Sequence, residues 1–314
     1  MATVTLIAGA LTTSKNAGMA FRDWPNSDGQ FMLTYPWFAD FAKNWDKFLE
    51  HGHRLAGMLI GVWSIGLVIV VGRGEQRLSV RWLSRAVLVG VILQGLLGGF
   101  RVQLDERGLA LIHGAFAAVV LSLMGATATM LSPRWDAGRP ATAPPEQETL
   151  ERLHTARIFA YVTTSMLAAQ FLMGGEIRHF GRRLHEHLGL GVMAAVAIVA
   201  TSIVAFRTRE AWLRQSGAAL LLVGLAQISL GAASWITKFG LSQFGIVAVA
   251  DSIVQVLSRS SHTVVGILLV MTSVVHILRC HRLCRVRGVD LSAASPLSHR
   301  LVPVAAAGRA GSSE

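Results

Sequence analysis

The chain has 314 residues, of which 52% are hydrophobic and 15% charged, with a mean hydropathy of +0.49. That balance excludes an ordinary soluble domain. The net charge of +11 is spread over short segments between apolar runs rather than gathered with aromatics into one patch, which excludes a nucleic-acid surface and reads as membrane topology.

Several apolar runs approach or exceed the roughly 18 residues that a helical span needs, and strand-like alternation is absent. The predicted class is an all-α integral membrane protein with about eight transmembrane helices in two tandem, pseudo-symmetric four-helix bundles. A short first helix over Met1–Leu11 lacks the basic start of a cleavable signal. A long segment, Ser14 to Glu50, follows with Asp23-Trp24-Pro25 in it and reads as a cover. Helix two is predicted from His53 to Val71, opening on Glu50-His51-Gly52-His53-Arg54, with Gly57 and Gly61 spaced for close helix contact. Helix three is placed over roughly 86–104 with Gln94 and Gly98-Gly99, and helix four over 109–131 with His113 near its start. Pro133, Pro140, Pro144 and Pro145 mark 132–156 as a linker. Helices five to eight are placed over 157–175, 187–206, 215–236 and 262–279. They carry His185-Glu186-His187, Gln227 with Gly231, and His262, and a basic tail with Cys280 and Cys284 closes the chain. Two thiols and one histidine fall short of a structural zinc set, so ordinary reduced cysteines are expected.

The two halves repeat. His51-Gly52-His53 with Gly57 matches His185-Glu186-His187 with Gly191, Gln94 with Gly98 matches Gln227 with Gly231, and His113 matches His262. The expected domains are an N-terminal half at 1–131, the linker at 132–156, a C-terminal half at 157–280 and a tail at 281–314. Connections 73–85, 132–157, 205–215 and 277–314 hold more Lys and Arg than the opposite set, which places the linker and both termini in the cytoplasm and the four histidines at the outer ends of their helices.

Ionisable side chains at a membrane helix end are costly, and four histidines in a repeated register point to metal ligation more than to interface contacts. A low-spin heme between two helices needs an imidazole on each face at one depth, and two such pairs are available. Arg54, Arg101, Arg178, Arg182 and Arg183 sit where they can clamp heme carboxylates or touch lipid headgroups, and both readings stay open. Gln94 and Gln227 read equally as heme neighbours and as interhelical hydrogen-bonding residues. His187 is preferred over His185 as the ligand on register alone.

Ser14-Lys15-Asn16-Ala17-Gly18-Met19-Ala20 with Asp23-Trp24-Pro25, then Glu50-His51-Gly52-His53-Arg54, then Gly98-Gly99-Phe100-Arg101-Val102 resemble the heme A synthase family of respiratory membranes. The resemblance implies an oxidoreductase that converts the C8 methyl of heme O to the formyl of heme A for terminal oxidases, with water as oxygen source. It implies His53 and His113 as axial ligands of the heme O/heme A site, His187 and His262 as ligands of a heme b, and Glu50 as the catalytic carboxylate. Heme O, heme O synthase, an oxidase assembly factor and membrane lipid are the implied partners in a bacterial-type inner membrane, and a homo-oligomer is left open. The chain departs from the family in lacking the outer-loop cysteine pair of some members, and its second half has Leu184 and Leu188 where the first has Glu50 and Arg54. Two other readings remain: a di-heme electron carrier, from which Glu50 would distinguish an enzyme, and a repeat-built transporter, disfavoured because the halves repeat in parallel.

Overall fold

The computed structural model describes residues 1–137 and 147–287. Eight long helices carry the fold: α1 (Ala2–Ser14), α2 (Trp45–Gly74), α3 (Leu78–Leu104), α4 (Arg107–Met130), α5 (Gln147–Phe180), α6 (Leu184–Arg207), α7 (Ala211–Phe239) and α8 (Ile253–Val286). Single turns at Trp37–Ala39, Asp40–Lys43, Pro133–Ala137 and Ser242–Phe244 sit in the connections. Seven of the eight are long and apolar enough to cross a membrane, and α1 is a shorter apolar helix. At 1.5 Å per residue, even a 24-residue helix such as α4 exceeds a hydrocarbon core of about 30 Å. The protein is an all-α, multi-pass membrane protein.

Its polarity is inverted relative to a soluble bundle. Val62, Val70, Val192, Val196 and Leu222 are each at least 65% exposed, while Ser84, Thr163, Thr201, Ser202, Ser216 and Ser273 are buried. Apolar side chains lose nothing by facing lipid, whereas hydroxyls need partners inside. Thr163 and Thr201 bond each other at 2.7 Å and Ser202 donates to the Gly217 carbonyl at 3.0 Å. Small residues let the backbones approach. A Cβ on Gly125 of α4 would lie 2.7 Å from Met271 of α8, and one on Gly217 of α7 would lie 2.8 Å from Ala205 of α6.

Consecutive helices pack within each half, and α8 is the hub, touching α1, α4, α5 and α7. Ala118, Leu121 and Ile267 form a core where α4 meets α8, with Leu6 of α1 and Phe171 of α5 packed on it. The two halves therefore share a seam rather than a linker alone.

Most helices run past the predicted limits. α2 begins at Trp45, not His53, because Asn44 caps it by accepting a hydrogen bond from the Lys47 N–H. α5 begins at Gln147, inside the expected linker, since the stretch from Glu148 to Arg157 is built of good helix formers too polar to register as a span. α8 begins at Ile253, where the sequence suggested a connection, with Ser252 accepting from the Gln255 N–H. Residues 138–146 of the linker and 288–314 of the tail lie outside the described residues. Cys280 and Cys284 are free and buried against Leu153, Ala156 and Leu213.

Candidate functional site: two facing histidine pairs

Four histidines meet in two pairs. The rings of His53 (α2) and His113 (α4) have centroids 6.3 Å apart with planes at 89°. His187 (α6) and His262 (α8) repeat this at 6.4 Å and 85°. Both pairs lie at the same end of the molecule: Arg178, at the end of α5, donates to the Ala10 carbonyl (2.9 Å) and Ser14 hydroxyl (3.0 Å) of α1 and to Thr263, the residue after His262.

Each ring is presented the same way. Nδ1 of His53 lies 3.2 Å from the Thr5 carbonyl, that of His187 3.2 Å from the Gln170 carbonyl, and that of His262 3.2 Å from the Gln227 carbonyl. His113 likewise bonds the Gln94 backbone. A carbonyl can only accept, so Nδ1 carries the hydrogen and Nε2 keeps its lone pair. A glycine makes each approach possible. A Cβ on Gly9, Gly98, Gly174 or Gly231 would fall 2.7, 3.1, 3.1 or 3.0 Å from the ring of His53, His113, His187 or His262 respectively. The sequence reading included Gly98 and Gly231 but missed Gly9, Gly174, Gln170 and Thr5. Their signal is a spacing: each glycine follows the residue whose carbonyl accepts from the ring by four positions, one helical turn.

The pairs fit a heme. With metal–nitrogen bonds of about 2 Å on either face of the macrocycle, two axial imidazoles hold their centroids about 6 Å apart, because each centroid lies about 1 Å behind its nitrogen. Among the described residues no three His, Cys, Asp or Glu side chains converge, so the donor set is two imidazoles per site.

The other sequence candidates separate. His51 is 1% exposed but turns away from His113, with Nδ1 3.1 Å from the Ser27 hydroxyl and its ring 4.8 Å from Tyr35. His185 is exposed on the surface, and His187 is the one that faces α8. Gln94 donates to the His113 carbonyl at 2.9 Å, and its amide nitrogen lies 3.3 Å from the ring. Gln227 places its amide nitrogen 3.5 Å from His262 Nε2. Arg182 and Arg183 are exposed and pair with Glu176 and Glu186 at 3.6 and 3.3 Å.

Glu50 is 4% exposed and fully engaged, one oxygen 2.6 Å from Arg54 and the other accepting the Phe21 N–H at 3.1 Å. It lies in the second turn of α2, beyond the first-turn positions where the helix dipole acts. Arg54 also donates to the carbonyls of Asp23 (3.0 Å) and Asn26 (2.7 Å), so it pins the 15–44 segment down. Trp24 of that segment packs against Gly99, where a Cβ would fall 2.4 Å from its ring. Tyr35 donates to Asp40 at 2.7 Å, and burial together with that carboxylate raises its phenol above the ordinary range. Arg101 has no hydrogen bond or ion pair among the described residues, although the Glu50 and Asp105 carboxylates lie within electrostatic reach of it. A Cβ on Gly18 would strike its guanidinium.

Residues 1–184 match the family described as cytochrome oxidase assembly protein. This chain belongs to that family. Two similar curated proteins are the heme A synthase of Bradyrhizobium sp. (strain BTAi1), 30% identical over 142 residues that cover 42% of this chain and 38% of that protein, and the heme A synthase of Paracoccus denitrificans, 28% identical over 131 residues that cover 40% and 34%. The match therefore spans well under half the length of these relatives. No solved structure gives a comparable match. Glu50, His53 and His113 fall within the family match, whereas His187 and His262 lie beyond it and are tied to the first pair by the repeated geometry.

Proposed function

We propose that this family member is a heme A synthase that oxidises the C8 methyl group of heme O to a formyl group. The observation that carries the reading is the twin histidine geometry, with a buried acid, Glu50, about one turn before His53 in α2 where the second half has Leu184. His53 and His113 would hold the substrate heme O, and His187 and His262 a resident heme b. Iron held by two imidazoles supplies one-electron redox chemistry. The net conversion of a methyl group and water to a formyl group releases four protons and four electrons, the latter to an acceptor outside the chain.

The chain's own residues position and deprotonate. Glu50 would take a proton from the attacking water, with Arg54 and the Phe21 N–H fixing its carboxylate until then. Arg101 would bind a substrate carboxylate, since its guanidinium is otherwise uncommitted among the described residues. Arg54 instead anchors the segment that covers the site and excludes bulk water. The site would open to the outer side of a bacterial-type inner membrane, close to heme O synthase and oxidase assembly factors. The two halves, 1–131 and 157–280, would divide the labour.

A di-heme electron carrier is the competing reading, favoured by the near identity of the two pairs. The test is pigment extraction from purified protein produced with a heme O source, for the wild type and Glu50→Gln. Heme A in the wild type and heme O without heme A in the variant, each beside heme b, is the expected result. Equal heme A in both would remove Glu50 from the chemistry, and protoheme alone in both would favour the carrier.

A further inference from the structure

The far end of α8 carries a second concentration of chemistry. At 1.5 Å per residue, Arg279 lies about 25 Å along the helix from His262. Arg279 and Arg282 are seated there in one fashion. The Arg279 guanidinium lies over the Trp212 ring, 5.1 Å from its centroid, and donates to the Trp212 carbonyl at 3.0 Å. The Arg282 guanidinium lies over the Trp135 ring at 5.5 Å, and its Nε donates to the Trp135 carbonyl at 3.0 Å. The two indoles meet edge-on, with centroids 6.1 Å apart and planes at 81°. Trp135 belongs to the turn after α4 and Trp212 to the start of α7, so the cluster joins the two halves. Arg134 adds another cation, donating to the Gln215 side chain and lying within electrostatic reach of Arg279.

What the cluster lacks is an anion. Among the described residues Arg134, Arg279 and Arg282 have no ion pair, and Glu210, just before α7, is taken by Arg287 at 2.8 Å. Each of these guanidiniums spends one N–H on the protein and keeps the others, and the Arg279 Nε is buried without a partner. Stacking on an indole and a bond to its carbonyl hold a guanidinium in one plane, which suits a bidentate acceptor such as phosphate. Cations set side by side in a helix bundle repel one another unless an anion from outside joins them. The surroundings say where that anion comes from. Leu131, just after α4, and Leu222 of α7 are exposed, and arginine with tryptophan at a membrane helix end is the chemistry of headgroup level.

We propose that Arg134, Arg279 and Arg282, framed by Trp135 and Trp212, bind the phosphodiester of an anionic phospholipid. The lipid staples the turn after α4 to α7 and α8, fastening the halves at the end remote from the histidines as Arg178 does beside them. The site stands independently of the heme reading.

The test uses full-length protein stripped of lipid in detergent and titrated with phosphatidylglycerol, with phosphatidylcholine, whose headgroup has no net charge, and with inorganic phosphate. Native mass spectrometry counts retained lipid, and the thermal midpoint reports its effect. The wild type should hold one phosphatidylglycerol with a raised midpoint and bind phosphatidylcholine several-fold more weakly. Arg279→Gln with Arg282→Gln should weaken phosphatidylglycerol several-fold and abolish the rise, and Arg134→Gln should weaken it to a lesser degree. Arg214→Gln with Arg285→Gln, which removes as much charge from exposed side chains at the same end, should bind as the wild type does. Equal retention of both lipids by the wild type overturns the proposal, as does equal weakening in the two double variants, the mark of diffuse attraction alone. A midpoint raised as far by inorganic phosphate as by phosphatidylglycerol assigns the cluster to a soluble anion and overturns the lipid. Should the Arg279 and Arg282 variant fail to fold, Arg134→Gln decides, and unchanged phosphatidylglycerol binding there is fatal to the site.

Discussion

At the scale of the residue, Glu50 and Arg54 form a buried ion pair that serves two purposes. Glu50→Gln keeps an oxygen to accept the Phe21 N–H, so the variant should fold, bind both pigments and make no heme A, as pigment extraction will read. Arg54→Ala leaves a buried carboxylate without its partner and frees the Asp23 and Asn26 carbonyls, at a cost of about 3–5 kcal/mol. The expected outcome is a lower thermal midpoint and faster proteolysis within 15–44, with the His187/His262 pigment retained. Much of this site was legible in the sequence, because His53 recurs as His187, while Glu50 and Arg54, at helical spacing around it, give way to Leu184 and Leu188 in the second half. What was not legible is direction. His51 has the same chemistry as His53 two residues away, and only the contact with Ser27 and Tyr35 shows that it belongs to the cover.

At the scale of the element, the recurring unit is a pair of helices in which a glycine and the carbonyl one turn before it receive an imidazole. Its prediction is that the ligand can be lost without being touched. Gly174→Val places branched carbons where even a Cβ is 3.1 Å from His187, so the ring must swing away. The variant should insert and fold yet lose about half its heme, read as the heme-to-protein ratio. Helix number and type were legible, because seven apolar runs each meet the length of a span. Helix ends were not: the caps at Asn44 and Ser252 act through single hydrogen bonds, and the first turns of α5 are too polar to be recognised by hydropathy. The Gln-to-Gly spacing of four was in the sequence at Gln94–Gly98 and Gln227–Gly231, where it marked the repeat, but its part in seating an imidazole shows only once the facing ring is known.

At the scale of the whole molecule, α8 and Arg178 join the halves. Arg178 ties α1, α5 and α8 together within one residue of His262, so Arg178→Ala should weaken the seam by about 3 kcal/mol and loosen both pigments together, as a shared fall in thermal midpoint and heme content. The assembly sets two near-equivalent histidine pairs at one end of the bundle, and a buried carboxylate, Glu50, stands about one turn before His53 of the first. The most direct test of that arrangement is low-temperature electron paramagnetic resonance of the oxidised, fully loaded protein beside His113→Ala and His187→Ala. Ring planes near 90° in both pairs predict two low-spin species of the strongly anisotropic type, one lost in each variant. A spectrum in which both variants keep both species, or in which the wild type shows only high-spin iron, would contradict it.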